Sequence, residues 1–204
     1  MKRFLLLLVF LSQLVFADDS YLIDDSLAMA RQGEFVRASN LIVDLANNGD
    51  SSAQYVLSMY FRDPNALNIP EVGEMWLMRA AENNNAKAQY DLGWRLAAGW
   101  KNDTVEDIVE MIYWFERATF NGSDDAYANL ATLYENENRD VLAEMEVAAN
   151  NGNAMAQFNL GWINARGLVS SEGLMQDMDV AKAWFEKSAK LGFKDAVEVL
   201  QNNF

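Results

Sequence analysis

Thirty aspartates and glutamates, with no histidine and no cysteine, set the limits of the chemistry this chain can do. Without an imidazole or a thiol, the commonest general base, the thiol nucleophile and the ordinary zinc ligands are all missing, which excludes most hydrolase and metalloenzyme designs. A carboxylate pair is what remains. Glu135, Glu137 and Asp140, or Asp177 and Asp179, have the residue type for paired acid and base catalysis. These clusters fall at expected turns, however, where solvated acids and helix N-caps such as Asp103, Asp124 and Asp179 belong. The stretch Asp177-Met178-Asp179 lacks the glycine and closing glutamate of a calcium loop, and no phosphate-cradling glycine motif occurs. The expectation is a protein that is not an enzyme, with no catalytic residue, no cofactor and no metal. Hydrolysis stands as the third of three functional alternatives.

Tryptophan, tyrosine and arginine are the other side chains that can carry function, through recognition. Their positions follow from a repeat. Ala53-Gln54-Tyr55-Val56-Leu57, Ala88-Gln89-Tyr90-Asp91-Leu92-Gly93 and Ala156-Gln157-Phe158-Asn159-Leu160-Gly161 are copies of one segment, and Ala126-Tyr127-Ala128-Asn129-Leu130-Ala131 is a looser fourth. Their start-to-start spacings are 35, 38 and 30 residues. A second segment follows three of them, beginning at Trp76, Trp114 and Trp184, and has a degenerate counterpart at Glu144. Both segments read as helices, because alanine and leucine four apart share a face with the small residue one further on, letting a neighbour approach closely. Gly49, Asn84, Gly122, Gly152 and Gly192 recur after the second helix of each unit, where a left-handed residue closes a helix.

The combination of Ala-x-Ala-Gln-Tyr-x-Leu-Gly with Ala-x-x-Trp-Phe-x-Lys-Ala-Ala-x-x-Gly resembles the Sel1-like repeat, a relative of the tetratricopeptide repeat. Residues 153–193 follow it best, residues 51–122 well, and residues 20–50 and 123–152 only in part. The resemblance implies an all-α solenoid of about five antiparallel helix pairs, in repeats 20–50, 51–85, 86–122, 123–152 and 153–193, with a C-terminal capping helix in 194–204. A pair of about 35 residues cannot bury its apolar face alone, so pairs stack on one another.

Residues 1–17 carry Lys2 and Arg3, a short apolar run and a small-residue ending at Val15 and Ala17, the pattern of a signal peptide cleaved after Ala17. The expected repeat domain is then 18–204, in the periplasm or secreted, without stable membrane insertion. Loss of Lys2 and Arg3 leaves 14 basic against 30 acidic residues, a net of −16, which repels nucleic acid and anionic lipid and suits a basic partner. Two prolines and abundant helix formers agree with helix throughout.

In families of this type a concave face lined by the first helices holds a protein partner. Positions of those helices that vary between repeats form a stripe: Ser52, Val56, Met59 and Tyr60, then Lys87, Asp91, Trp94 and Arg95, then Asp125, Asn129, Thr132 and Leu133, then Met155, Asn159, Trp162 and Ile163. From these, Tyr60, Met59, Asp91, Trp94, Arg95, Asn129, Asn159 and Trp162 are the candidate partner-binding residues. Trp94 and Trp162 equally fit a packing role against the following pair, since large aromatics are often core residues. Loops 61–72, 100–105 and 167–178, with Trp100, offer further variable surface. The expected function is an exported interaction scaffold, in a narrower version an immunity or regulatory protein restraining a secreted effector; the alternative is association with cell-wall peptidoglycan through tryptophans and carboxylates.

Overall fold

The structure, a computed structural model, describes residues 19–97, 104–134, 140–167 and 176–204. The expected signal peptide, Trp100, Asp103, Glu135, Glu137 and most of loops 100–105 and 167–178 lie outside the described residues. Within them are eleven helices and no strand. The chain divides into two compact units, one ending at Asn83 and the other beginning at Asn84.

The first unit holds α1 (Ser20–Arg31), α2 (Phe35–Asn47), α3 (Ser51–Arg62) and α4 (Pro70–Glu82). Each helix packs on the next, around Ile42, Ala46, Leu57 and Trp76. Ser26 of α1 is fully buried: its hydroxyl donates to the Ala38 carbonyl at 2.9 Å and lies 3.0 Å from the Tyr60 hydroxyl. Buried polar groups hold a fold only when partnered, and this one ties three helices together.

The second unit holds α5 (Ala86–Ala97), α6 (Val105–Phe120), α7 (Asp124–Tyr134), α8 (Val141–Asn150), α9 (Ala154–Arg166), α10 (Met178–Lys190) and α11 (Lys194–Asn203). The pairs α5/α6 and α9/α10 close tightly, and α11 packs on α10. Helices α7 and α8 hardly touch one another; α7 leans on α6, and α8 packs chiefly on α9. Helix α9 also packs directly on α6, past the fourth pair. Asn159 donates to the Val109 carbonyl and, seven residues on in both helices, Arg166 pairs with Glu116, so α6 and α9 run in the same direction. Nine of the sixteen residues of α6 are buried, as a helix surrounded by others requires.

The helix stops stand where expected. Gly49, Gly122, Gly152 and Gly192 have φ between 87° and 97°, and Asn84 has φ 64°, the left-handed conformation that asparagine tolerates best after glycine. The N-caps differ from the sequence reading. Ser123, not Asp124, accepts from the Ala126 amide, and Asp177, not Asp179, accepts from the Asp179 and Val180 amides. A cap must precede the first helical residue for its oxygen to reach the free amides, which places Asp124 one step and Asp179 two steps too far along. Asp140 caps α8 in the same way, accepting from the Ala143 amide at 2.9 Å.

Candidate partner-binding face

The buried glutamine of the first helix fixes where each pair stands. Gln54 donates to the Ala46 carbonyl at the end of the preceding helix and accepts from Asn83 at the end of its own pair. Gln157 makes the same donation to the Ala149 carbonyl, and Gln89 accepts from Asn121. The repeated alanine-glutamine segment is therefore a hydrogen-bonded clamp on helix ends, adding a second bond to carbonyls that already accept from Gly49 and Gly152.

Held in this way, the stripe of variable positions divides into interior and surface. Tyr60 is 4% exposed, edge-on to Phe35, with its hydroxyl beside Ser26. Asn159 is fully buried against α6, and Val56, Leu133 and Ile163 are buried as well. Met59, Asp91 and Asn129 are half-buried. Trp162 is half-buried among Phe120, Phe158 and Phe185, with the Arg166 guanidinium 4.9 Å from its ring. These side chains face other helices of their own unit: α1 covers Tyr60, and α6 covers Asn159.

Trp94 and Arg95 stand exposed on α5. Trp94 is 48% exposed and is fixed in place: its indole N–H donates to the Tyr90 hydroxyl, and Tyr90 stands edge-on to it at 6.4 Å. The same hydroxyl accepts from the Asn129 amide at 3.3 Å, so α5 and α7 are joined at this point. Of the candidate residues, then, the structure gathers Trp94 with Asn129 through Tyr90, while Trp162 belongs to a separate aromatic group. Exposed Asp125 and Thr132 continue the surface along α7.

The family model for the Sel1 repeat matches residues 86–119 and 154–193, the two pairs that close most tightly in the second unit. This is a Sel1-like repeat protein. Among solved structures it is similar to a Sel1 repeat protein from Oxalobacter formigenes, with 30% identity, a TM-score of 0.42 and coverage of 81% of this chain and 48% of that one. It is also similar to a protective antigen of uropathogenic Escherichia coli strains displaying an SLR fold, with 26% identity, a TM-score of 0.41 and coverage of 79% and 35%. The chain thus spans about half the length of the first and about a third of the second. No curated protein sequence matches it. Sel1-like repeat proteins generally mediate protein–protein interaction, and the repeat is generally a non-catalytic scaffold.

Two charged groups of this Sel1-repeat protein were not visible as sites in its sequence. Arg117 of α6 binds Asp195 of α11, the Tyr113 hydroxyl and Asn84. Glu116, fully buried, pairs with Arg166 and faces Tyr134 of α7. Burial raises the Glu116 carboxyl to about 7 despite the opposing pull of Arg166, and burial also raises the Tyr134 hydroxyl well above its usual range. The Tyr134 hydroxyl and Glu116 Oε1 are near enough to influence one another, yet neither completes a hydrogen bond of good geometry. A pairing across 50 residues of sequence has no local signature, but an acid and an arginine on two otherwise apolar helix faces were a signal.

Among the described residues no cluster of three metal-ligating side chains occurs, and no helix is long and apolar enough to cross a membrane. Asp140 and Asp177, from the acidic clusters of the sequence, are engaged as helix caps.

Proposed function

We propose that this Sel1-repeat protein is an exported scaffold that holds a protein partner at the surface built around Trp94. The single observation that carries the reading is the fixed, half-exposed indole. An aromatic side chain already ordered before binding loses little conformational freedom when a partner covers it, and tryptophan is the residue type that most often dominates binding energy. Tyr90 and Asn129 supply that order from two neighbouring helices. Exposed Arg95 and the acidic residues of α7 add polar specificity at the rim.

The net charge of −14 favours a basic partner, since complementary potentials speed encounter and reject wrong ligands. A narrower form of the proposal follows: the chain restrains a basic secreted effector as an immunity or regulatory protein. The signal-like pattern of residues 1–17 supports export.

Affinity capture from the producing cell, with tagged wild type and Trp94→Ala side by side, tests the reading. A partner recovered by wild type should fall about tenfold or more with the variant, the loss expected of a hot-spot residue. Equal recovery of every bound protein by both forms would refute it.

A further inference from the structure

A groove of about 170 Å3 lies in the second unit between α6, α9 and α11. Phe120, 62% exposed, forms its aromatic wall with Trp162, their ring centroids 5.3 Å apart, and Val199 adds apolar surface. The polar lining includes acceptors that point to a cation. Asn121 donates its amide hydrogens to Gln89 Oε1 at 2.9 Å and to the Arg117 carbonyl at 3.0 Å, so its oxygen is what it can offer a ligand. Asn203 spends one of its two amide hydrogens on the Val199 carbonyl at 3.1 Å, and Asn84, whose oxygen accepts from Arg117, offers its amide hydrogens at the edge of the groove. Arg117 is matched within the lining by Asp195, which leaves the exposed carboxylate of Glu198 as the net charge; among the described residues no cation is paired with it.

We infer that this groove takes one long cationic side chain, arginine or lysine, presented by the protein partner, an assignment that rests on the scaffold reading above. Guanidinium and ammonium groups carry donors and no acceptors, the complement of the Asn121 oxygen and the Glu198 carboxylate. Their hydrocarbon stems lie well against Phe120 and Val199, and their charge is attracted both by an aromatic face and by Glu198. The volume fits a single side chain. The same aromatic group already receives a guanidinium from within the chain, Arg166 over Trp162 at 4.9 Å. An anion in this place would meet Glu198, Asp195 and the field of a chain of net charge −14.

The test is an NMR titration of the isotope-labelled full chain with three blocked tripeptides: acetyl-glycyl-arginyl-glycine amide, its lysyl counterpart, and the uncharged citrulline version. The two charged peptides should produce saturable shifts at the Trp162 indole N–H and at the Asn121 and Asn203 side-chain amides. Affinity should fall about fivefold or more with citrulline, and equally in Glu198→Gln, an exposed change whose fold is checked by circular dichroism. Absence of shifts at these groups, equal binding of arginine and citrulline, or undiminished binding by Glu198→Gln would each overturn the assignment. If Trp94→Ala loses a captured partner while the groove stays silent, only the groove assignment fails. If the groove responds and Trp94→Ala loses nothing, the scaffold surface at Trp94 fails and the cation site stands.

Discussion

The ring of Phe185 fills the space that a side chain at Gly161 would need: a Cβ on that glycine would stand 2.5 Å from Phe185 Cε1. Gly93 and Phe115 repeat the arrangement, with the corresponding distance 2.6 Å. In each case bare backbone on the first helix receives an aromatic ring from the second, and the pair closes. At the equivalent places the fourth pair has Ala131 and Met145, and its helices α7 and α8 barely touch.

Gly161→Ala should therefore destabilise the second unit by about 1–3 kcal/mol, the usual cost of forcing a methyl into a packed core. Alanine's better helix propensity, worth about 1 kcal/mol, offsets only part of this. Urea denaturation gives the number, and a double-mutant cycle with Phe185→Leu should recover stability through positive coupling. A denaturation midpoint unchanged by Gly161→Ala would mean that the ring moves aside freely.

Gln157 makes only half of the clamp. Its Oε1 is buried without a partner, because Leu191 stands where Asn83 and Asn121 serve the other glutamines. Leu191 is itself 54% exposed, so little apolar burial is at stake. Replacing Leu191 with asparagine should add about 0.5–1.5 kcal/mol of stability, the net worth of one hydrogen bond. Thermal unfolding checks it, and combining the change with Gln157→Leu should abolish the gain.

The buried carboxyl of Glu116 makes stability depend on pH. Its value in the fold is raised to about 7 from an ordinary 4.5, so between those limits the folded chain binds more protons than the unfolded one. Stability from this group is therefore fully present below about 4.5 and is lost as pH rises through about 7. The contribution is on the order of 3 kcal/mol, from a shift that already includes the pull of Arg166 on the ionised form. Urea denaturation at pH 5 and pH 8 should show the difference in wild type and a flatter response in Glu116→Gln; identical slopes would remove Glu116 as the cause.

Much of the fold was legible because the repeat is written in local spacing. Alanine, glutamine, leucine and glycine at fixed offsets mark the first helices, Trp-Phe pairs mark the second, and Gly49, Asn84, Gly122, Gly152 and Gly192 mark the stops. Partner-binding surface was less legible. The variable stripe mixed Trp94, which faces outward, with Tyr60 and Asn159, which other helices cover. What separates them is which helix lies above each face, and that is a long-range fact. The missed signal was α6 itself: Ile108, Val109, Met111, Ile112, Tyr113, Trp114 and Phe115, interrupted only by Glu110, leave a narrow polar stripe at Glu106, Glu110 and Arg117, so a helix of that composition has neighbours on most of its faces.

Trp94 is the point at which the functional account stands or falls. Equilibrium titration of the captured partner into wild type and Trp94→Ala, with circular dichroism to confirm the fold of both, is the direct measurement. The Kd should be at least about tenfold weaker for the variant, equivalent to about 1.4 kcal/mol. An unchanged Kd would rule out Trp94 as the anchor of the partner.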